Sequence, residues 1–264
     1  MGQGSVSMAG MQGSLYSIAG GNKKVPETIV SHHNLNVLRT KVLKIIYKKD
    51  VKGFDVNFVG NGKESANKEY DFVVIATPLT QDLSKLQCLD LPTEATKCTQ
   101  KGTYHRTVSS IIEGKVNSSY FESMTESELP SDIILTNNAT FFKTLSKIHP
   151  VQQRNVKSSE TASIYKVFSS KPLTNQELNL LFKEVKSVHV QDWLAYPEYN
   201  SQFSSNNFVL SDRLYYLNAI ESAASAMEMS AISGKNIALL VFKSWKKPES
   251  VESPRASELR EELR

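Results

Sequence analysis

An acid that ends an apolar run and leads into a helix of small side chains is the arrangement here best suited to chemistry. Leu214-Tyr215-Tyr216-Leu217 reads as a buried strand, Asn218-Ala219-Ile220-Glu221 follows, and a helix is expected from about Ser222 to Trp245. Its first turns carry Ala223, Ala224, Ser225, Ala226, Ser230 and Ala231, and its later turns the apolar stripe Ile237, Val241 and Trp245. In a doubly wound sheet, ligands gather at the carboxyl ends of strands, facing helix N-termini. Free N–H groups and the positive dipole end favour an anion or an electron-rich ring edge there. Small side chains at Ser225, Ala226 and Ser230, with Met227 beside them, would let a flat cofactor approach the backbone. Glu221 at the strand tip would accept hydrogen bonds from cofactor hydroxyls. The same periodicity also fits a plain helix packed on a sheet, so the pattern alone does not decide between the two.

Other chemistries find little support. The five histidines do not cluster with acids, and the two cysteines, Cys88 and Cys98, lack metal spacing, so no metal site is expected. Those cysteines could form one disulfide or stand as two free thiols. The net charge of +4 comes from scattered lysines such as Lys23-Lys24 and Lys246-Lys247, with no basic stripe interleaved with aromatics, so nucleic acid is not an expected partner. The apolar run Ile237–Phe242 is six residues, too short to cross a bilayer. Asn117-Ser118-Ser119 and Asn138-Ala139-Thr140 are sequons that give Asn117 and Asn138 as glycosylation candidates. No secretory leader is visible after Met1.

The elements that must position these residues follow from periodicity. With 40% hydrophobic and 22% charged residues, the 264-residue chain can build a substantial core. Gly20-Gly21-Asn22 precedes a short helix near Pro26, a residue suited to a first helical turn. From Asn36 the period becomes two, with an extended strand through Val42 and Tyr47, a turn at 49–53, and Phe54, Val56 and Phe58 alternating with polar residues. Asp71 to Ala76 is a continuous apolar run, the mark of a strand covered on both faces, and it stops at Thr77-Pro78. Residues 36–79 thus read as a meander returning into a buried parallel strand. Between 80 and 205, alternating segments at 107–114, 133–136 and 163–168 point to a second sheet. A helix is expected over Asn175–Val185, with Thr174 as N-cap and Glu177 three residues on. The expected fold is therefore mixed α/β. Residues 1–79 and 206–247 form one domain, 80–205 a second, and 248–264 a charged tail.

Several blocks resemble a known family. Met227–Ala238 resembles the C-terminal flavin-contact motif of monoamine-oxidase-like flavoproteins at Glu228, Ser233, Gly234 and Ala238, and Ala219-Ile220-Glu221 resembles that superfamily's Gly-x-Glu. Gly20-Gly21-Asn22 with Val25 and Ile29 resembles its double-glycine segment. Val42 on the meander, then Asp71–Leu79 with Ala76, Thr77 and Pro78, resembles its second flavin-contact strand. The stretches Ser5–Gly10, Ser17–Val25, Val73–Leu79, Trp193–Pro197 and Asp212–Leu240 are similar to the prenylcysteine oxidase family, dense at both ends of residues 5–245 and thin over 80–190.

The resemblance implies an FAD-binding Rossmann-like domain with a meander, a sheet-based substrate domain, and a thioether oxidase. Its small-molecule substrate would be farnesyl- or geranylgeranyl-cysteine, with oxygen as acceptor and cysteine, an isoprenoid aldehyde and hydrogen peroxide as products. A lysosomal place in prenylated-protein degradation is implied with it. Such chemistry rests on the cofactor, so no catalytic side chain is nominated. Gly20, Gly21, Asn22, Val42, Ala76, Thr77, Pro78, Glu221, Ser225, Ala226, Met227 and Ser230 are the implied cofactor contacts. Ala219 stands where the superfamily has glycine, and its methyl would crowd a close approach. No Gly-x-Gly-x-x-Gly follows a strand and opens a helix in these residues, so the pyrophosphate cradle would lie upstream of Met1. The chain is expected to be a fragment holding about half of the FAD site. Two other readings remain: an amine oxidase or desaturase of the same superfamily, and a non-catalytic paralogue that binds lipid or a partner.

Overall fold

A computed structural model describes residues 18–59, 65–92, 98–122, 125, 128–136, 140–148, 163–200, 203 and 207–246. They form a mixed α/β fold in two compact units. Of the described residues, one comprises those between 36 and 104 and between 196 and 246; the other comprises those between 18 and 35 and between 105 and 195.

The second unit opens with α1 (Lys24–His32), which buries none of its residues. Gly20 and Gly21 ahead of it have φ of +86° and +92°, a region that glycine enters without a Cβ penalty.

In the first unit the expected meander forms. The strands β1 (Lys41–Lys48), β2 (Gly53–Val59) and β3 (Ser65–Tyr70) pair antiparallel in sequence. The hairpin turn places Lys52 at φ +49° and ends at Gly53, where a Cβ would lie 3.0 Å from the Tyr70 carbonyl oxygen. Alternation sends Ile45, Phe54 and Val56 inward. After β4 (Val73–Ile75), β5 (Gln87–Leu89) adds to the meander, parallel to β1.

The remaining strands of the second unit make a five-stranded sheet. Its strands are β6 (Tyr104–Val116), β7 (Asp132–Ile134), β8 (Thr144–Ile148), β9 (Ser163–Ser169) and β10 (Phe182–Pro197), in the spatial order β10-β6-β9-β8-β7. Ile112, Val116, Phe142, Leu145, Tyr165 and Val167 build its core with Leu181 and Phe182, which flank the end of α2 (Asn175–Leu181). Gly114 is required on β6, because a Cβ there would lie 2.3 Å from the Glu184 carbonyl oxygen. Thr174 and Glu177 form the expected capping box. The helix ends at Leu181 rather than at Val185, and the chain turns directly into β10. The β-branched residues Val185, Val188 and Val190 favour the strand, and pairing with β6 overrides the helical spacing.

Back in the first unit, β11 (Val209–Ser211) and β12 (Leu214–Tyr216) form a hairpin, and β12 pairs parallel with β4. The core gathers Ile45, Phe54, Ile75, Leu79, Cys98, Leu210, Leu214, Tyr216 and Ala219. Each fully buried large side chain such as Phe54 or Leu214 contributes roughly 1.5–3 kcal/mol. A six-residue 3-10 turn (Leu217–Ser222) follows β12, and then α3 (Met227–Lys246), whose Ser233 and Ile237 are buried.

Four expectations need correction. The helix expected from Ser222 begins at Met227, because 217–222 takes the tighter turn and Ser225 bonds to Glu221 instead of joining a helix. The strand expected over 71–76 is confined to Val73–Ile75, and Val74 is 41% exposed, because among the described residues only β12 pairs with it. The unit boundary falls after Tyr104 rather than after Leu79. Residues 80–104 stay with the meander through β5, through the Gln100 N–H to Leu79 carbonyl bond of 3.0 Å, and through the Cys88–Cys98 disulfide, which settles the pairing left open by the sequence. The double-glycine segment, expected in the same domain as the meander, falls in the second unit.

Candidate cofactor site

Parallel pairing of β4 with β12 decides where the site can form. The register Leu214–Val73, Tyr215–Val74 and Tyr216–Ile75 brings both strands to their carboxyl ends together. From β4 emerge Ala76 and Thr77, both exposed, and half-buried Pro78. From β12 emerges the 3-10 turn with Asn218 and Glu221. The turn is fixed from below by α3, where the buried Ser233 hydroxyl donates to the Leu217 carbonyl oxygen at 2.6 Å. The Ala219 side chain is buried among core residues, so its methyl faces the interior and does not crowd the strand tip.

The Glu221 carboxylate is the centre of a polar cluster. Its Oε2 accepts from the Tyr104 hydroxyl and, at 3.1 Å, from Asn218 Nδ2; its Oε1 accepts from Ser225 Oγ at 3.0 Å. A carboxylate has about four acceptor positions, so these three donors leave one on Oε1 among the described residues. Beside it, Asn218 Oδ1 is a buried acceptor without a partner among the described residues. Tyr104 is pinned at its other end, where its backbone N–H donates to Asp82 Oδ2 at 3.0 Å. The fully buried Tyr216 donates its hydroxyl to Gln100 Oε1 at 2.8 Å.

Three tyrosines are held neutral around this acid. Burial, then the hydrogen bond and charge of Glu221, push the Tyr104 phenol far above its ordinary range. Tyr216 is raised by burial and then by the Glu221 charge, against a backbone hydrogen bond from Leu79. Tyr199 is raised by the same two causes, against a backbone bond from Ser225. The site is an oriented acceptor ringed by neutral donors, suited to holding hydroxyl groups rather than to transferring protons.

Of the residues expected in the site, Ala76, Thr77, Pro78 and Glu221 come to one edge of the β4–β12 pair. Ser225 bonds Glu221 directly, and Ser230 Oγ donates to the Ala226 carbonyl at 3.2 Å where α3 starts. Ala226 and Met227 are exposed there. Val42 lies in the same unit on the meander, opposite Phe58. Gly20, Gly21 and Asn22 belong to the other unit. Asn117 is half-buried, with Nδ2 donating to the Leu180 carbonyl at 3.0 Å; Asn138 lies outside the described residues. Sequence reasoning missed Tyr104, Tyr199, Tyr216 and Asn218. Asn218 was within reach, three residues before the acid, whereas Tyr104 is 117 residues away and carries no local signal.

The prenylcysteine lyase family model matches residues 3–253. The chain belongs to this family. It is 35% identical over 247 residues to prenylcysteine oxidase 1-like of Homo sapiens, covering 92% of the chain and 50% of that protein. It is 34% identical over 253 residues to prenylcysteine oxidase 1 of Bos taurus, covering 92% and 49%. With prenylcysteine oxidase 1-like of Mus musculus it shares 35% over 252 residues, at 92% and 50% coverage. The chain spans about half the length of these curated relatives. Among the described residues no helix is long and apolar enough to cross a membrane.

Proposed function

We propose that the chain contributes the flavin-facing edge and the substrate sheet of an FAD-dependent thioether oxidase acting on farnesyl- or geranylgeranyl-cysteine. The observation that carries this reading is the β4–β12 pair, which brings Ala76-Thr77-Pro78 and Glu221 to one carboxyl edge. The residues fit a hydroxyl-bearing cofactor. Glu221 keeps a free acceptor position, Asn218 Oδ1 beside it lacks a donor, and the Ala219 methyl points away. A bound FAD would supply the acceptor for the hydrogen and two electrons removed from the carbon beside sulfur, with oxygen as the final acceptor, reduced to hydrogen peroxide. Water then adds to that carbon and the C–S bond breaks, leaving cysteine and an isoprenoid aldehyde. Glu221 and Asn218 would hold cofactor hydroxyls, and the exposed Ala76, Thr77, Ala226 and Met227 would border the ring. No residue of the cluster is assigned an acid–base step, since its tyrosines are held neutral.

The Cys88–Cys98 disulfide and the Asn117 sequon support passage through the secretory route, where the oxidising lumen lets disulfides form, and the resemblance to the family extends that route to the lysosome. Loss of a glycosidase-sensitive mobility shift in Asn117→Gln would check that placement. The 264 residues contain no Gly-x-Gly-x-x-Gly phosphate turn, so FAD should bind the isolated chain weakly but measurably. The test is thermal unfolding of the purified chain with FAD and with farnesylcysteine. Both should raise the midpoint, whereas farnesol or cysteine alone should not. If neither FAD nor farnesylcysteine shifts the transition, the reading fails.

A further inference from the structure

The cluster around Glu221 contains more than a cofactor acid needs in order to exist. An isolated glutamate at a strand tip would sample many rotamers, and ordering such a side chain costs up to roughly 2 kcal/mol. Here the side chain is held from two directions. Ser225 and Asn218 grip it locally, from four and three residues away in sequence. Tyr104 grips it from the far side of the chain, and Tyr104 is itself buried at 5% exposure and pinned through its N–H to Asp82. Local donors can follow the turn wherever it goes. Tyr104 cannot, because its backbone is the start of β6 and is anchored independently.

We propose that Tyr104 is a positioning residue for the cofactor: its hydroxyl fixes the orientation of the Glu221 carboxylate so that the remaining acceptor position on Oε1 meets a cofactor hydroxyl. The inference rests on the reading of Glu221 as a cofactor contact. Both oxygens are accounted for. Oε2 is saturated by Tyr104 and Asn218, and Oε1 is bonded once, by Ser225. Removing the Ser225 bond frees a position on the ligand-side oxygen. Removing the Tyr104 bond instead leaves Oε2 held by Asn218 alone, and the carboxylate can rotate about that contact and turn Oε1 away from the ligand. Tyr104 therefore acts on ligand affinity through Glu221 and by no contact of its own.

The test is a double-mutant cycle on FAD affinity, with the purified chain titrated into dilute FAD and flavin fluorescence recorded. Tyr104→Phe should weaken binding about tenfold, the factor equivalent to roughly 1.4 kcal/mol for one hydrogen bond to a charged group. Glu221→Gln should weaken it at least as much. The double variant should be no weaker than Glu221→Gln alone, because Tyr104 then has no carboxylate to orient. Circular dichroism melts run in parallel separate this from a folding role, which would lower the midpoint of Tyr104→Phe equally in both backgrounds and leave the affinity losses additive. Should Tyr104→Phe fail to fold, Asp82→Asn removes the charge that receives the Tyr104 N–H while keeping the phenol, and it should weaken FAD several-fold in the Glu221 background only. Additive losses, or a Tyr104→Phe affinity equal to wild type while Glu221→Gln is impaired, overturn the inference and leave the cofactor reading standing. No FAD binding by the wild-type chain, or full affinity in Glu221→Gln, overturns the cofactor reading and the inference with it.

Discussion

Two glutamates in this molecule are each held by hydroxyl groups, and they do different things. Glu177 sits in the first turn of α2, where its Oε2 accepts from the Thr174 N–H at 2.7 Å and the Thr174 hydroxyl at 2.9 Å. Both partners are three residues away and exposed, and the arrangement closes a helix end. Glu221 also has neighbours three and four residues away, but its third partner, Tyr104, comes from 117 residues off. The local box stabilises one helix and would persist in any context that preserved it. The Glu221 cluster exists only when Tyr104 and the turn after β12 have met, so it reports and depends on the assembled first unit. A carboxylate held by near neighbours serves its own element; one held across the fold can be aimed at something else.

The sharpest way to break the comparison is to remove the platform under Glu221 and leave α2 untouched. Tyr216→Ala empties a fully buried aromatic site next to the turn and removes the hydroxyl that donates to Gln100 Oε1. Urea denaturation should show a loss of about 3–5 kcal/mol, the range for large aromatic truncations. A loss under 1 kcal/mol would mean that Tyr216 is not a core residue.

Next comes the covalent tie that keeps 80–104 with the meander. Replacing Cys88 and Cys98 by serine opens a loop with a sequence separation of 10. The unfolded-chain entropy released corresponds to roughly 2–3 kcal/mol. Reducing agent should destabilise the wild-type protein by the same amount and leave the double variant unchanged; equal sensitivity of both would contradict the pairing.

Alkaline titration sharpens the contrast. Tyr104 and Tyr216 have folded pKa values raised above the ordinary tyrosine value of 10.0. The native state therefore keeps protons that the unfolded chain releases. Stability should be intact below that value and should fall above it, by about 1.4 kcal/mol per pH unit for each tyrosine. Tyr104→Phe and Tyr216→Phe should each flatten the alkaline limb. An unchanged slope in both variants would show that these phenols are not the groups held neutral.

The smallest effect belongs to the local box. Thr174→Ala should cost about 1 kcal/mol. Glu177 is lowered from the ordinary glutamate range, first by the Thr174 backbone bond and also by its hydroxyl. A depressed folded pKa gives stability that is present at neutral pH and lost as pH falls through that lowered value. Thr174→Ala keeps the backbone N–H and removes the hydroxyl, so its cost should be largest at pH 7 and shrink in acid to the part that the hydroxyl contributes by accepting from the Glu177 N–H, as read by the difference in unfolding midpoints.

How far each region could be read follows the same division. The meander, the alternation in β1 and β2, the strand at 214–216 and the Thr174–Glu177 cap were legible because period-two burial and helix capping involve residues a few positions apart. The apolar runs at 71–76 and 214–217 suggested two strands of one sheet, whereas their direct pairing is a contact between distant positions that neither run announces. The helix stops short of Val185, since spacing at Leu178, Leu181 and Phe182 suits a helix until β6 offers β10 a ladder. The start of α3 was misread for a related reason. Ala223, Ala224 and Ala226 favour a helix by propensity, but the 3-10 turn and the Ser225–Glu221 bond take precedence.

By itself, then, the sequence determined the mixed α/β class, the family, the strand that ends near Glu221 and the identity of that acid, because each is written in neighbouring residues or in their period. The tertiary structure decided that Cys88 pairs with Cys98, that 80–104 belongs with the meander, and that Tyr104, Tyr199 and Tyr216 surround Glu221. These are contacts between distant positions. The loop-closure entropy they cost is offset only by the core that the whole unit buries, so nothing in the local text around either partner announces them.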